Sequence, residues 1–161
     1  MKNLKLSPVL FVIVILSFFL PFLNISCGGS QVYSFSGFKT AFGTTVTQDQ
    51  GLGYSRSEKV DGDGVAVAVF ITAVLGLLLS FLKTNSGKII NTIISGAGSV
   101  LIIIFPIESS SRISKEAPSY VQISYGAGYY LALIFFILAL AFNIYVIYSN
   151  KKVIAAEGSM S

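Results

Sequence analysis

The sequence predicts an all-α membrane protein, a four-transmembrane-helix bundle with a small extracellular β-hairpin or sheet in its first outer loop. Three observations predict it. Of 161 residues, 53% are hydrophobic and only 11% charged, against about 25% charged in an ordinary soluble domain. Apolar runs of about 18 residues or more, long enough to cross a bilayer, recur at 8–25, 65–82, 89–107 and 129–148. None of these runs contains Asp, Glu, Lys, Arg or His, whereas a soluble helix of that length shows a charged face. The whole chain, 1–161, reads as one membrane domain with outer loops at 26–64 and 108–128.

The first run opens on Ser7-Pro8. Serine offers a capping oxygen, and proline at the first helical position loses no hydrogen bond. Pro21 frees the carbonyl of Ser17 one turn back, so it kinks or ends the helix at the far interface. A basic start, an apolar middle and the following Ser26-Cys27-Gly28-Gly29 have the outline of a cleavable signal. Asn24 stands where a lipoprotein site wants an aliphatic residue, and three more spans follow; a retained anchor is the expectation.

The long loop carries two strand signals: the alternating run from Gln31 to Phe38, and the β-branched stretch from Thr44 to Thr47. Gly37 and Gly43 are turn or bulge candidates. The expectation is a small sheet lying over the helix ends, with 48–63 the more mobile half. Asp61-Gly62-Asp63-Gly64 echoes part of a calcium loop, but the positions where further oxygen ligands are needed are Val67 to Ile71. Asp63 is better read as the cap of the second helix, its charge beside the positive helix end.

The second and third runs are joined by the short turn from Lys83 to Lys88, which makes them an antiparallel pair. Small residues sit at helical spacing on both: Gly76 and Ser80 on the second, Ser95, Gly96 and Ser99 on the third. Such residues let a neighbouring helix approach closely, so these five are the helix-packing candidates. Pro106 is expected to close the third run as Pro21 closes the first. Tyr125, Tyr129 and Tyr130 at one end of the fourth run, and Tyr145 and Tyr148 at the other, read as interface belts. A disordered tail is expected after Lys152.

An even number of spans puts both termini on one side. Lys2, Lys5, Lys83, Lys88, Lys151 and Lys152 lie there with one acid, Glu157; Lys39, Arg56, Lys59, Arg112 and Lys115 lie opposite with six acids. The first set is concentrated in short segments beside the runs, so the positive-inside rule makes that side cytoplasmic.

The sequence offers little chemistry. With no histidine and one cysteine, neither a protein-only His/Cys metal site nor an intrachain disulfide can form within one chain. No nucleophile–base pair, phosphate loop or paired carboxylate is legible, so no enzymatic activity and no cofactor are expected. The net charge of +4 is spread over run ends rather than gathered into a stripe, which argues against nucleic-acid binding. Asn91 and Asn143 are the intramembrane polar residues, placed to hydrogen-bond each other across the third and fourth helices. They read as packing glue rather than an ion path, because no ionisable group accompanies them. Cys27 is an outer-surface thiol, open to lipid attachment, an intermolecular disulfide or simple burial.

The stretch LPFLNISCGG…VYSFSGFKTAFG resembles small uncharacterised bacterial four-span membrane proteins, whose first helix ends in a proline-aromatic step followed by a short strand and Ser-Gly-Phe. The resemblance covers residues 15 to 43 and implies a bacterial cytoplasmic (inner) membrane without implying an activity. The overall layout is also similar to the claudin-type topology. The claudin loop motif, tryptophans followed by a cysteine pair, is missing, since the chain has no Trp and one Cys, so no claudin residue is carried over. The expected function is non-enzymatic: association, as an accessory subunit or small assembly or scaffold. The expected partners are the lipid bilayer and a membrane protein or a second copy of the chain. The alternative is a small channel or transporter.

Overall fold

The computed structural model describes residues 6–27, 30–49, 55–82, 84–116 and 121–158. In chain order the elements are α1 (Leu6–Ser17), β1 (Pro21–Cys27), β2 (Ser30–Ser36), α2 (Gly37–Phe42), β3 (Thr44–Asp49), β4 (Ser55–Val60), α3 (Gly64–Leu79), α4 (Asn85–Glu116), β5 (Val121–Tyr125) and α5 (Ala127–Gly158). The chain is mostly helical. Two stretches, Gly87–Ser111 in α4 and Ala127–Ser149 in α5, are long and apolar enough to cross a membrane. The helices α1 and α3 are apolar but shorter. Each of them packs against its neighbours so that the two shorter and two longer helices close into a ring, in the order α1, α3, α4, α5.

The ring has a repeating seam. Buried positions fall at Ser7, Phe11, Val14 and Phe18 on the first helix and its final turn, and at Ala66, Val69, Ala73 and Gly76 on α3. They fall at Asn91, Ser95, Gly98, Ile102, Phe105 and Ser109 on α4, and at Tyr129, Ala132, Phe136, Ala139 and Asn143 on α5. Alternating steps of three and four residues are the spacing of a bundle that packs knobs into holes. The large knobs are seated on glycines. A Cβ at Gly98 would clash with the Phe136 ring at Cε1, and one at Gly76 would clash with the Phe11 ring at Cε1 in the same way. Phe22 is held the same way between Gly37 and Gly128, at 2.8 Å from a Cβ at either.

The first apolar run departs from a single span. Its helix ends at Ser17, and a tight turn whose amides at Phe18, Phe19 and Leu20 bond three residues back leads into β1. Apolarity alone cannot separate a buried helix from a buried strand. Proline is well placed as the first residue of a strand, and the carbonyl of Ser17, which has no amide at Pro21 to accept from, receives the amide of Leu20 at 3.0 Å. β1 is the central strand of an antiparallel sheet in the order β2-β1-β5. Leu23 pairs with Phe35 on one side and Tyr125 on the other, and Ile25 pairs with Tyr33 and Ile123. A second, two-stranded sheet joins β3 to β4, with Thr44 opposite Val60.

The short helix α2 locks this end of the bundle. Its first amides complete the open end of α1: Gly37 donates to the Leu20 carbonyl at 3.2 Å and Phe38 to the Phe18 carbonyl at 2.9 Å. Ser36 caps it, and it stops at Gly43, whose φ of 80° favours glycine. The Asp63 amide then bonds the Thr40 carbonyl at 2.8 Å, while the Asp63 side chain accepts from the amides of Val65 and Ala66 at 2.8 and 3.1 Å, capping α3 as the sequence indicated.

Two further boundaries and the burial of one tyrosine differ from expectation. Pro106 lies inside α4 instead of closing it. Proline removes one helical hydrogen bond without forbidding the turns beyond it, and here the hydroxyl of Tyr125 donates to the Pro106 carbonyl at 3.0 Å and meets Ser110 Oγ at 3.0 Å. Tyr129 is buried rather than part of a belt, because it packs with Tyr125, Phe22 and Phe105 in an aromatic core, while Tyr130 remains exposed. α5 continues to Gly158, where a tail was expected. The expectations placed on Lys2, Lys5, Gly28, Gly29 and Lys83 lie outside the described residues.

Candidate functional site

At the end of the bundle opposite the sheets, the seam turns polar and four helices share one hydrogen-bonded cluster. Asn91 of α4 donates through Nδ2 to Ser7 Oγ of α1 at 3.2 Å and to Ser80 Oγ, at the end of α3, at 3.1 Å. Ser7 Oγ donates to Oδ1 of Asn143 on α5 at 3.2 Å and lies 3.1 Å from Ser80 Oγ. Asn143 Nδ2 donates to Ser95 Oγ at 2.9 Å, and Ser95 in turn donates to the backbone carbonyl of Asn91 at 2.7 Å. Ser80 and Ser99 donate back to carbonyls one turn earlier, at Gly76 and Ser95, over 2.7 and 2.8 Å.

Burial gives the cluster its weight. Asn91 and Asn143 are 4% and 8% exposed and Ser95 is fully buried. A buried amide or hydroxyl without a partner is costly, so each of these groups penalises any arrangement that pulls the helices apart. The surroundings are apolar and the groups neutral. The cluster is therefore suited to holding helices in register.

The sequence-derived candidates distribute unevenly over this geometry. Asn91 and Asn143 do not bond each other directly; Ser7 and Ser95 bridge them. Ser80 and Ser95 are members of the cluster, and Ser99 extends it along α4. Gly76 and Ser80 serve different ends: Gly76 seats the Phe11 ring, and Ser80 bonds across the bundle. Gly96 has room, since a Cβ there would meet only Leu140 at 3.8 Å; the close approach on α4 is at Gly98. Cys27 lies away from the cluster on β1, its backbone paired with Ser30 and Val121.

Ser7 is the member that sequence reading missed, having been assigned to capping. The helix already begins at Leu6, and the Ser7 hydroxyl points across the bundle. The signal was present: Ser7 stands four residues before Phe11 and seven before Val14, on their stripe. Among the described residues no group of three or more His, Cys, Asp or Glu side chains is placed to hold a metal. Comparison with protein-family models, curated proteins and solved structures found no match for this chain.

Proposed function

We propose that the chain is an integral membrane protein that crosses the bilayer four times and acts without catalysis, by association, as an accessory subunit or small assembly. The observation that carries this reading is inverted polarity. The side chains facing away from the bundle are large and apolar: Leu16 on α1, Leu78 on α3, Ile93 and Ile103 on α4, and Ile134 on α5 are all at least half exposed. The polar ones, Ser7, Asn91, Ser95 and Asn143, face inward. A soluble bundle would do the opposite, whereas hydrocarbon rewards an apolar exterior and a hydrogen-bonded interior.

The lengths are consistent with this. α1 has 12 residues, about 18 Å at 1.5 Å per residue, short of a hydrocarbon core of about 30 Å. β1 supplies the rest. Non-helical backbone is tolerated at membrane depth only where protein surrounds it, and β1 is bonded along both edges, with Phe22 and Leu23 buried. The lysine density argues for cytoplasmic termini, which puts the sheet end of the bundle, with Cys27 at the far end of β1, on the outer side. The bacterial inner membrane rests on the resemblance alone. Association is favoured over conduction because the middle of the ring is filled by Phe11, Val14, Ile102 and Phe136, each essentially inaccessible.

Alkaline carbonate extraction, thiol accessibility and subunit counting test the reading together. The chain should stay with the membrane at high pH. In a Cys27→Ser background, Gln122→Cys should react with an impermeant thiol reagent on intact cells, and Thr84→Cys only after permeabilisation. Single-molecule photobleaching in native membranes should show either more than one copy per spot or a stoichiometric co-purifying membrane subunit. Release by carbonate ends the membrane reading, and a solitary monomer ends the association reading.

A further inference from the structure

The two sides of α2 are of opposite kinds. Gly37, Thr40 and Ala41 are buried, while Phe38, Lys39 and Phe42 are exposed. The buried side fixes its place: Gly37 leaves no room for a Cβ against the Phe22 ring, and the Thr40 carbonyl accepts from the amide of Asp63, the cap of α3, at 2.8 Å. The backbone of α2 is therefore level with the start of α3. Its rings reach further down. Phe38 and Phe42 both meet Phe70 edge-on, at 6.1 and 5.7 Å between centroids. Phe70 stands six residues beyond Gly64, about 9 Å along the helix at 1.5 Å per residue. Phe19, in the turn after α1, stacks on Phe38 at 6.4 Å, and Phe38 packs on Phe42 at 4.7 Å. The result is an aromatic plate on the flank of α1 and α3. Phe19 is 68% exposed, Phe42 52% and Phe38 46%.

The surface around the plate indicates what covers it. Toward the other end of the bundle the outward side chains stay apolar, through Leu16 and Val12 on α1 and Ile71, Leu75 and Leu78 on α3. The plate is continuous with those rows, so the medium that covers them covers the rings. Lys39 sets the opposite limit. A lysine charge is excluded from hydrocarbon, and its long stem carries it to the headgroup layer. Phenylalanines on one side and a lysine on the other are what a helix lying in the membrane interface presents. Contact between two copies through the plate would instead bury Lys39 from both in one apolar interface, at a high cost in desolvation.

We propose that α2 is an interfacial anchor. It lies in the leaflet nearest the sheets, with Phe19, Phe38 and Phe42 against the upper acyl carbons and Lys39 at the level of the lipid phosphates, and it holds this side of the bundle at one depth. It also extends the apolar exterior past the end of α1, which has only 12 residues. The anchor rests on the membrane reading and is independent of association.

The chain has no tryptophan, so single introduced tryptophans report depth. The full chain carrying Phe42→Trp or Leu75→Trp is reconstituted in phosphatidylcholine vesicles brominated near the carbonyl end of the acyl chain or near its methyl end. Leu75 stands eleven residues beyond Gly64, about 16 Å along α3 and so near the middle of a hydrocarbon core of about 30 Å; Leu75→Trp should be quenched more by the deep bromines. Phe42→Trp should be quenched about twofold more by the shallow bromines than by the deep ones, as an interfacial depth requires. Lys39→Leu should shift that preference toward the deep bromines. Phe19→Trp is the second reporter of the plate, with the same expectation, if Phe42→Trp does not fold. Quenching of Leu75→Trp without quenching at the plate overturns the anchor, and exposure to acrylamide then tells water from a protein cover. An unmoved preference in Lys39→Leu overturns the role of the lysine. No quenching of Leu75→Trp by either lipid ends the membrane reading itself.

Discussion

Gly98→Ala, compared with Gly96→Ala two residues away, isolates the seating of a ring on a glycine. Both changes replace glycine inside the same helix, and each gains about 1 kcal/mol of helix propensity in a water-exposed host. That gain cancels in the difference, whatever its size in lipid. What does not cancel is the neighbour. At Gly96 the new carbon meets only Leu140 at 3.8 Å, an ordinary contact. At Gly98 it would overlap the Phe136 ring, with Cε1 the nearest atom, where carbon atoms prefer about 3.5–4.0 Å, so the ring must retreat by more than about 1 Å. It has nowhere open to go: Phe136 is fully buried and meets Phe11 edge-on at 6.3 Å. Overpacking of this kind costs about 1–3 kcal/mol, and that is the expected difference between the two variants. Unfolding by SDS titration in mixed micelles, followed by far-ultraviolet circular dichroism because the chain has no tryptophan, measures it. Phe136→Leu removes the obstructing edge, so in the Gly98→Ala background it should cost at least about 1 kcal/mol less than alone, a coupling within the range seen for touching residues. Equal stabilities for the two alanine variants, or additivity with Phe136→Leu, would refute the ring-and-seat account.

Three other expectations use the same unfolding assay. Asn143→Leu removes the acceptor of Ser7 and a donor to Ser95, and should cost about 1–3 kcal/mol; Thr72→Val, which loses only a bond within its own helix, should cost clearly less. Asp63→Ala strips the cap from two amides of α3 and should cost about 0.5–2 kcal/mol, with Asp63→Asn recovering most of it. Tyr125→Phe deletes the hydroxyl that meets Ser110 and the Pro106 carbonyl; a loss of about 0.5–1.5 kcal/mol is expected, with faster hydrogen exchange in the turn after Pro106 and none of the change at Asn91.

How much of this was legible depends on which physical signal each element leaves. Helix existence was legible in α3, α4 and α5, because long uncharged apolar runs bounded by turn residues have few other outcomes. The cap at Asp63 was legible because capping is local chemistry. Helix faces were not. Apolar residues surround every helix, so hydrophobic periodicity, which ordinarily marks the buried side, is flat here. The usable period belonged to the small and polar residues instead: Ala66, Ala73, Gly76 and Ser80 on one helix, Asn91, Ser95 and Gly98 on the next, and Ala132, Ala139 and Asn143 on the last. Followed at steps of three and four, those positions trace the seam and separate Gly98 from Gly96. Ser7 would have joined them by its spacing to Phe11 and Val14.

The strand that begins at Pro21, where the first run was expected to continue as a span to Ile25, has a different origin and says more about the fold. From Pro8 to Ile25 no side chain distinguishes a continued helix from a buried strand, and the outcome is settled by backbone partners far away in sequence. Ser34 and Phe35 come from β2, and Ser124 and Tyr125 from β5, about a hundred residues downstream. Both edges of β1 are thereby satisfied, which removes the usual reason for an apolar segment to be helical, namely that only a helix bonds all its own amides. The same strand delivers Phe22 to the point where α1, α4 and α5 converge, in ring contact with Phe18, Phe105 and Tyr129. The bundle is thus closed by different means at its two ends: an aromatic core pinned by strand pairing at one, and a carboxamide–hydroxyl cluster at the other. Aromatic packing is tolerant of small shifts, whereas hydrogen bonds near 3 Å are not. Because strand pairing and the α2 amides are also hydrogen-bonded at the sheet end, the register of the four helices is held by hydrogen bonds at both ends, by the Asn91–Asn143 cluster at one and by the backbone of β1 and α2 at the other.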